Sequence, residues 1–438
     1  MRCKSFGISQ SFSGHNDSAE CRMTKIYSHT VPLQADMVDA FCTLQKGFTD
    51  QFVYYDKQKL RRAMGLGRCI ALTSLGDVDQ ILQGDTVRPP VFFSFTRFDA
   101  DNPKPADEMM QAFPNLRFML PELVLLEDET GSYLQVNSLG PVYEGRVARF
   151  CRHAQEAPKR TQRSISFDRI EDEFADWEAL IDASLTAIQS GRIDKIVPSR
   201  RVQVVAHEPF SSKDVLVNLI DGSARGTVFM YRYGDVFFCG CTPELLVEKQ
   251  GSTVESMCLA GTTATGSTSD ETFLLAEQLM ADPKNRREHE YVVHFMREVF
   301  GRNCYDVDIP QNPRVVELRQ LQHLMTPVCA QIMSGRTLPS LVSQLHPTPA
   351  LAGAPVGEAL QCLREVETYN RGFFGGAVGF VDGSGDGSFV VAIRSGVFDG
   401  ERGWIYAGCG VVEGSRAREE YEETNLKLQT ILTAFSGQ

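Results

Sequence analysis

An α+β fold is predicted by three features of the 438-residue sequence: strand-like runs joined by hairpin signals, helical stripes set among them, and no βαβ alternation. Residues 1–30 are expected to be a loose polar start, with no apolar stretch of the kind that directs secretion. Residues 31–165 form the N-terminal part of the fold. They hold strand candidates (VFFSFTRF, LRFMLPELVLLED, YLQVNSL) but no cluster of catalytic residue types. The polar tract QEAPKRTQRS at 155–164 links this part to residues 166–438, where the chemical signals concentrate. There Phe174, Trp177, Leu180, Ile181, Leu185 and Ile188 make one helical stripe, and Gly191 ends it. KIVPSRRVQVV reads as a strand. TVFMYRY and VFFCG form a hairpin about Gly234-Asp235, and LLVEK and TVESMCLAG continue the strand pattern. Helices are expected over much of 270–300 and 416–433, while GGAVGF and FVVAIRSGVF flank the turn VDGSGDGS.

Bulk properties narrow the function classes. The length suits two or three domains, or one large α+β enzyme core. Hydrophobic content of 42% and charged content of 23% are those of a globular protein. Forty-four basic against 56 acidic residues give a net charge of -12, whose average field repels nucleic acid and other polyanions. No run approaches the ~18 apolar residues of a membrane span, so no membrane partner is expected. The 12 cysteines are scattered, and the close pair Cys239 and Cys241 lacks further ligands at zinc spacing. Buried thiols in a reducing cytoplasm are the expectation.

Two tempting motifs fail on inspection. The turn from Asp382 begins like a calcium loop, but Ile393 stands where a bidentate Glu belongs. GCGVVEG at 408–414 imitates a dinucleotide fingerprint with the wrong glycine spacing and an acidic residue facing the phosphates. Such a turn before a helix still offers backbone N–H groups to a carboxylate.

Chemistry is expected from residues in costly places. Glu288 falls on the apolar stripe of Val292, Phe295 and Val299, where a carboxylate must pair or hold a metal. Glu420, Glu423 and Lys427 share one face of the last helix. Three glutamates from two helices suit Mg²⁺; the competing reading is a solvated acidic helix start. Arg394 interrupts an apolar run and implies an anionic partner. By position alone, Lys195 would be an exposed strand residue, Glu244 an edge residue, and His323 and His346 structural hydrogen-bonders.

Together these segments resemble the chorismate-utilising enzymes, and closely the isochorismate synthases of menaquinone and siderophore pathways. The resemblance covers 166–438 and rests on IDKIVPSRR, CTPELL, CLAGT, DPKNRREHE, LQHLMTP, LHPTPALAG, RGFFGGAVGF, VAIRSG, and YAGCGVVEGS leading into EEYEETNLK. It implies two large antiparallel sheets packed face to face with surrounding helices. It implies an isomerase, taking chorismate to isochorismate by adding water at ring carbon 2 and losing the hydroxyl at ring carbon 4. In that scheme Lys195 is the general base and Glu244 the general acid. Mg²⁺ is the cofactor, held by Glu288 and Glu423 with Glu420 beside them. Gly261, Thr262, His323, Arg394, Tyr406, Gly408, Gly410 and Lys427 contact the substrate.

The lysine of the first motif argues against the ammonia-using relatives and against a glutaminase subunit. Salicylate synthases, the alternative, resemble FPSVTASG where this chain has HPTPALAG. Ala350 and Leu351 therefore stand where the two activities part. A lysine base working near neutrality must be shielded from water or set near other cations. Alternation turns only Arg201, not Arg200, to its face. A resting general acid must likewise be kept protonated by its site. Pro198, and Arg416-Ala417 in place of an acidic residue and Pro, depart from the family pattern.

Overall fold

The computed structural model describes residues 26–72, 88–114, 118–170, 172–223, 225–318 and 320–436. Within them the strand-like runs assemble into antiparallel sheets of eleven and ten strands. The larger begins with Tyr27–Pro32, Gly131–Ser138, Leu123–Asp128, Arg62–Leu66 and Asp50–Asp56. It continues with Thr227–Tyr233, Val236–Thr242, Ser395–Asp399, Arg402–Gly408, Ser199–Ala206 and Phe167–Ile170. The smaller runs from Cys304–Asp308 through Leu321–Ile332, Thr253–Ala264, Leu245–Gln250, Gly387–Val391, Ala377–Asp382, Val91–Phe95 and Phe118–Leu120 to Ile70–Leu72. Arg314–Glu317 also pairs with Leu321–Ile332.

Side-chain alternation decides which faces meet. Phe52, Tyr54, Phe229 and Tyr231 of the larger sheet share one buried cluster with Phe93, Phe95 and Phe380 of the smaller. Phe52 stacks on Phe93 with centroids 5.5 Å apart, and Tyr54 meets Phe380 edge-on at 5.1 Å. Such pairs contribute about 0.5–1.5 kcal/mol each beyond their buried area. The intervening Val53, Val228 and Met230 face outward, under the helices Met37–Leu44, Glu144–Gln155, Ser212–Gly222 and Ala417–Ser436. The outer face of the smaller sheet is covered by Phe174–Gln189, Pro283–Asn303, Leu338–Leu345 and Val356–Val366. The α+β class is the one the sequence pattern predicted, and two sheets face to face between helical layers is the architecture that the resemblance implied.

Three expected strands are broken, each for a local reason. KIVPSRRVQVV splits at Pro198, which cannot donate to a ladder, into Lys195–Ile196 and Ser199–Ala206. LRFMLPELVLLED splits at Pro121 into strands of different sheets, Phe118–Leu120 and Leu123–Asp128. FVVAIRSGVF splits around Arg394 into Gly387–Val391 of the smaller sheet and Ser395–Asp399 of the larger. Of the loose start expected over 1–30, residues 1–25 lie outside the described residues, and Tyr27–Pro32 is an edge strand. The VDGSGDGS turn closes on Asp382, whose carboxylate accepts from the N–H groups of Ser384 (2.9 Å) and Asp386 (3.1 Å). Among the described residues, no helix is long and apolar enough to cross a membrane.

Candidate active site

Two crossovers between the sheets run side by side. Pro243-Glu244 carries the chain from the larger sheet to the smaller, and Ile393-Arg394 carries it back. Backbone bonds stitch them together: Cys241 N–H donates to the Arg394 carbonyl (3.2 Å), and Val391 N–H to the Glu244 carbonyl (3.0 Å). Arg394 adopts φ +54, a left-handed conformation that costs a non-glycine residue roughly 1–3 kcal/mol. The sheet switch thus buries two charged side chains, Glu244 and Arg394, each 5% exposed.

Burial pushes the Glu244 carboxyl up to about 7, against the pull of Lys195, Arg394 and Lys427. Burial likewise brings the Arg394 guanidinium down to about 10, with Glu423 and Glu244 opposing. Arg394 donates to Nε2 of His323 at 3.2 Å. Arginine offers no acceptor, so that nitrogen is unprotonated and Nδ1–H is the donor toward Gly261 O (3.3 Å) and Thr262 Oγ1 (3.1 Å). Burial, then the Arg394 and Lys427 cations, hold His323 well below the usual histidine range, so the ring is neutral. Gly261 sits at a register shift between Ala260 and Thr262, and Thr262 N–H donates to Asn285 Oδ1 at 3.0 Å.

Lys195 is placed by a two-residue ladder with Gly353–Ala354 and by Ile196, which exchanges backbone bonds with Val411 (3.0 and 2.7 Å). Gly353 is required there: at φ +131, a Cβ would stand 2.2 Å from the Lys195 carbonyl oxygen. The amine is 0% exposed, which rules out the inert surface lysine. Its Nζ lies 3.1 Å from Glu288 Oε1, but the angles make no hydrogen bond, so its donors are uncommitted among the described residues. Arg201 is occupied elsewhere, paired with Asp107 at 2.9 Å and stacked over Trp404 at 4.2 Å.

Glu288, Glu420 and Glu423 approach Cys409-Gly410 from two helices. Glu288 fills the space that a side chain at Gly410 would need, since a Cβ there would stand 2.0 Å from its Oε1. Glu420 is 1% exposed, which excludes a solvated helix start. Burial and the like charge of Glu423 raise its carboxyl, with Lys284 opposing. Glu423 is pushed up by burial, yet Lys427, 2.5 Å away, and Lys284 hold it below the usual range. Each glutamate thus has its own ammonium: Lys195 on Glu288, Lys284 on Glu420, Lys427 on Glu423. Among the described residues no three His, Cys, Asp or Glu side chains are close enough to hold a metal ion. The two helices thus bring together converging charge, not a finished coordination shell. The donors, hard oxygens that repel one another, fit Mg²⁺ in kind.

Twelve of the fifteen candidate residues line a single cavity, Ala350, Leu351, Gly408 and Gly410 among them. The other three, Lys195, Glu420 and Glu423, stand beside its lining. Lys427 donates to the Gly408 carbonyl at 3.0 Å. Tyr406 lines the cavity with its ring stacked on Phe374 at 5.2 Å, while its buried hydroxyl has no hydrogen-bond partner among the described residues. His346 lies outside the lining, its Nε2 3.3 Å from the Arg97 carbonyl, a structural contact as expected.

Comparison with known proteins gives this geometry a family. The model of the chorismate binding enzyme family matches residues 15–436. The chain belongs to the chorismate-binding enzymes. Isochorismate synthase MenF of Bacillus subtilis is 31% identical over 370 residues, 82% of this chain and 77% of that protein. The salicylate biosynthesis isochorismate synthase of Pseudomonas aeruginosa is 31% identical over 351 residues, 78% and 73% of the two chains. Among solved structures, MenF, the menaquinone-specific isochorismate synthase of Escherichia coli, superposes with a TM-score of 0.80. That match has 22% identity and covers 95% of this chain and 96% of the other, a likeness of fold.

In this chorismate-binding enzyme the sequence reading overlooked Arg371. It lies in the cavity wall, 2% exposed, bidentate to Glu367 and donating to the carbonyls of Leu351 (3.1 Å) and Val197 (2.5 Å). Glu367 also accepts from Ser199 N–H at 2.8 Å. One buried ion pair therefore joins the segments that carry Lys195 and Leu351. Arg371 opens the glycine-rich run RGFFGGAVGF rather than interrupting it, so the signal that marked Arg394 is absent.

Proposed function

We infer that this chorismate-binding enzyme is an isochorismate synthase, feeding menaquinone or siderophore biosynthesis from the cytoplasm without a glutaminase subunit. The observation that carries this reading is a wholly buried amine beside a cavity whose lining includes Glu244, a buried carboxyl raised to about 7. Water addition with loss of hydroxide needs that acid and base together. The likeness to an isochorismate synthase over 82% of this chain and 77% of that protein supports the same reaction.

In the proposed step Lys195 takes a proton from water as its oxygen bonds to ring carbon 2. The two ring double bonds shift, the bond from ring carbon 4 to its hydroxyl breaks, and Glu244 protonates the departing group to water. One water is consumed and one released. Arg394 and Lys427 offer charge to the two substrate carboxylates, and neutral His323 fixes the Arg394 guanidinium. Glu288, Glu420 and Glu423 would hold Mg²⁺, which would supply charge neutralisation to the ring carboxylate. Chelation should abolish turnover and added Mg²⁺ should restore it, and Glu423→Ala should lose both activity and metal response. Full turnover of chorismate in metal-free buffer would remove the metal from the scheme.

Leu351 is proposed to stop the reaction at isochorismate. Pyruvate elimination requires the enolpyruvyl chain to swing over the ring, and bulk beside that chain forbids the swing without hindering water. Leu351 is 6% exposed in the cavity wall next to Ala350. Ala350→Thr with Leu351→Ala is expected to release some pyruvate and salicylate, read with lactate dehydrogenase coupling and chromatography against spontaneous isochorismate decay. An unchanged product ratio in the folded, active double variant would place product choice elsewhere. Parental enzyme that itself releases stoichiometric pyruvate would instead be a salicylate synthase.

A further inference from the structure

We propose that Lys284 is a built-in stand-in cation for the metal-holding carboxylates, seated on Glu420 when Mg²⁺ is absent and lowering the affinity with which Mg²⁺ enters. This rests on the reading of Glu288, Glu420 and Glu423 as the metal's ligands. Three lysines neutralise those glutamates, and two of them, Lys195 and Lys427, already have work toward water and substrate. Lys284 has none.

Its placement is not what the helix itself favours. Asp282 caps Pro283–Asn303 by accepting the Asn285 N–H at 3.0 Å, so Lys284 lies in the first turn. A cation there opposes the helix dipole, which prefers negative charge at its N-terminal end. The glutamates hold it instead. Its ammonium contacts Glu420 Oε1, a side chain only 2% exposed, and is pulled also by Glu423 and Glu288. Glu420 is also the most buried of the three carboxylates, its side chain 2% exposed against 12% for Glu288 and 22% for Glu423. An ammonium and a divalent ion cannot occupy the same carboxylate face, so Mg²⁺ entry requires Lys284 to leave Glu420. The next residue, Asn285, holds Thr262 N–H in the cavity wall, which ties this first turn to the substrate side of the site.

The test uses the full chain, chorismate absent, with Mg²⁺ alone as probe. Dissociation constants would be measured by calorimetry, and Mg²⁺-induced rises in melting temperature would be compared. Lys284→Met and Lys284→Gln are expected to bind Mg²⁺ at least about tenfold tighter than the parent, because one competing charge is gone. Lys284→Arg, which keeps the charge, should bind no tighter. The Met variant should melt lower in chelator and recover with Mg²⁺; the Gln variant, still a donor to Glu420, covers the case where Met fails to fold. Affinity within about threefold of the parent in both folded neutral variants would overturn the role of Lys284 and leave the metal reading standing. Absence of Mg²⁺ binding by parent and variants alike would overturn both.

Discussion

Lys195→Ala is expected to lower chorismate turnover by at least about 10²-fold, the scale of a positioned proton-transfer group, with little change in KM. The loss has two physical sources that a second substitution separates. Lys195 offers an amine for proton transfer, and it also sets a positive charge 3.1 Å from Glu288. Lys195→Arg keeps the charge but cannot give up its proton near neutral pH. If the residue acts as the base, the Arg variant stays as inactive as the Ala variant while Glu288 keeps a cation. If Lys195 serves only to neutralise Glu288, Arg restores turnover. Near-parental turnover in a folded Ala variant, or recovery with Arg, would remove Lys195 from the proton-transfer step. Steady-state kinetics beside circular dichroism would decide it.

The parts of this molecule that were legible in the sequence are those set by short-range pattern. Alternation and a Gly234-Asp235 turn give the hairpin of Thr227–Tyr233 and Val236–Thr242, in which Tyr233 pairs with Val236. A carboxylate on a helical apolar stripe marked Glu288. The switch of a strand from one sheet to the other leaves no such mark. VVAIRSGVF reads as one apolar run although its halves belong to different sheets, and that hidden crossover is what buries Arg394 beside Glu244. Pro121 and Pro198 mark breaks that could have been read from their missing N–H groups. The burial of Lys195 depends on Gly353 and Glu288, far along the chain, so no local spacing reports it. Arg371 was missed because two of its partners are backbone carbonyls, Val197 and Leu351, which no side-chain pattern records. Lys284 was missed because its partner Glu420 lies in a different helix. The chemical roles came from the resemblance; what the geometry adds is that the residues so assigned meet around one cavity.

Glu244→Gln is expected to cost turnover at least about 10²-fold, because the amide fills the same space but has no proton to give the departing hydroxyl. The parent should also show the group's titration. Its carboxyl is raised from an ordinary 4.5 to about 7 by burial, so the acid form is lost as pH rises through 7, and kcat/KM should fall on that alkaline side. Stability carries the opposite signature from a structural carboxylate. Between about pH 4.5 and 7 the folded protein binds this proton more tightly than the unfolded chain does, so Glu244 makes stability decline as pH rises through that window. Gln has no such titration. Glu244→Gln should therefore melt no lower than the parent at pH 8, with its advantage shrinking toward pH 4.5, even as catalysis collapses. Paired melting curves and chorismate turnover across pH 4.5–8.5 test both halves. A variant that turns over near the parental rate would end the acid role. One that loses stability at pH 8 along with activity would show instead that the ionised carboxylate is needed to hold Lys195, Arg394 and Lys427 in place.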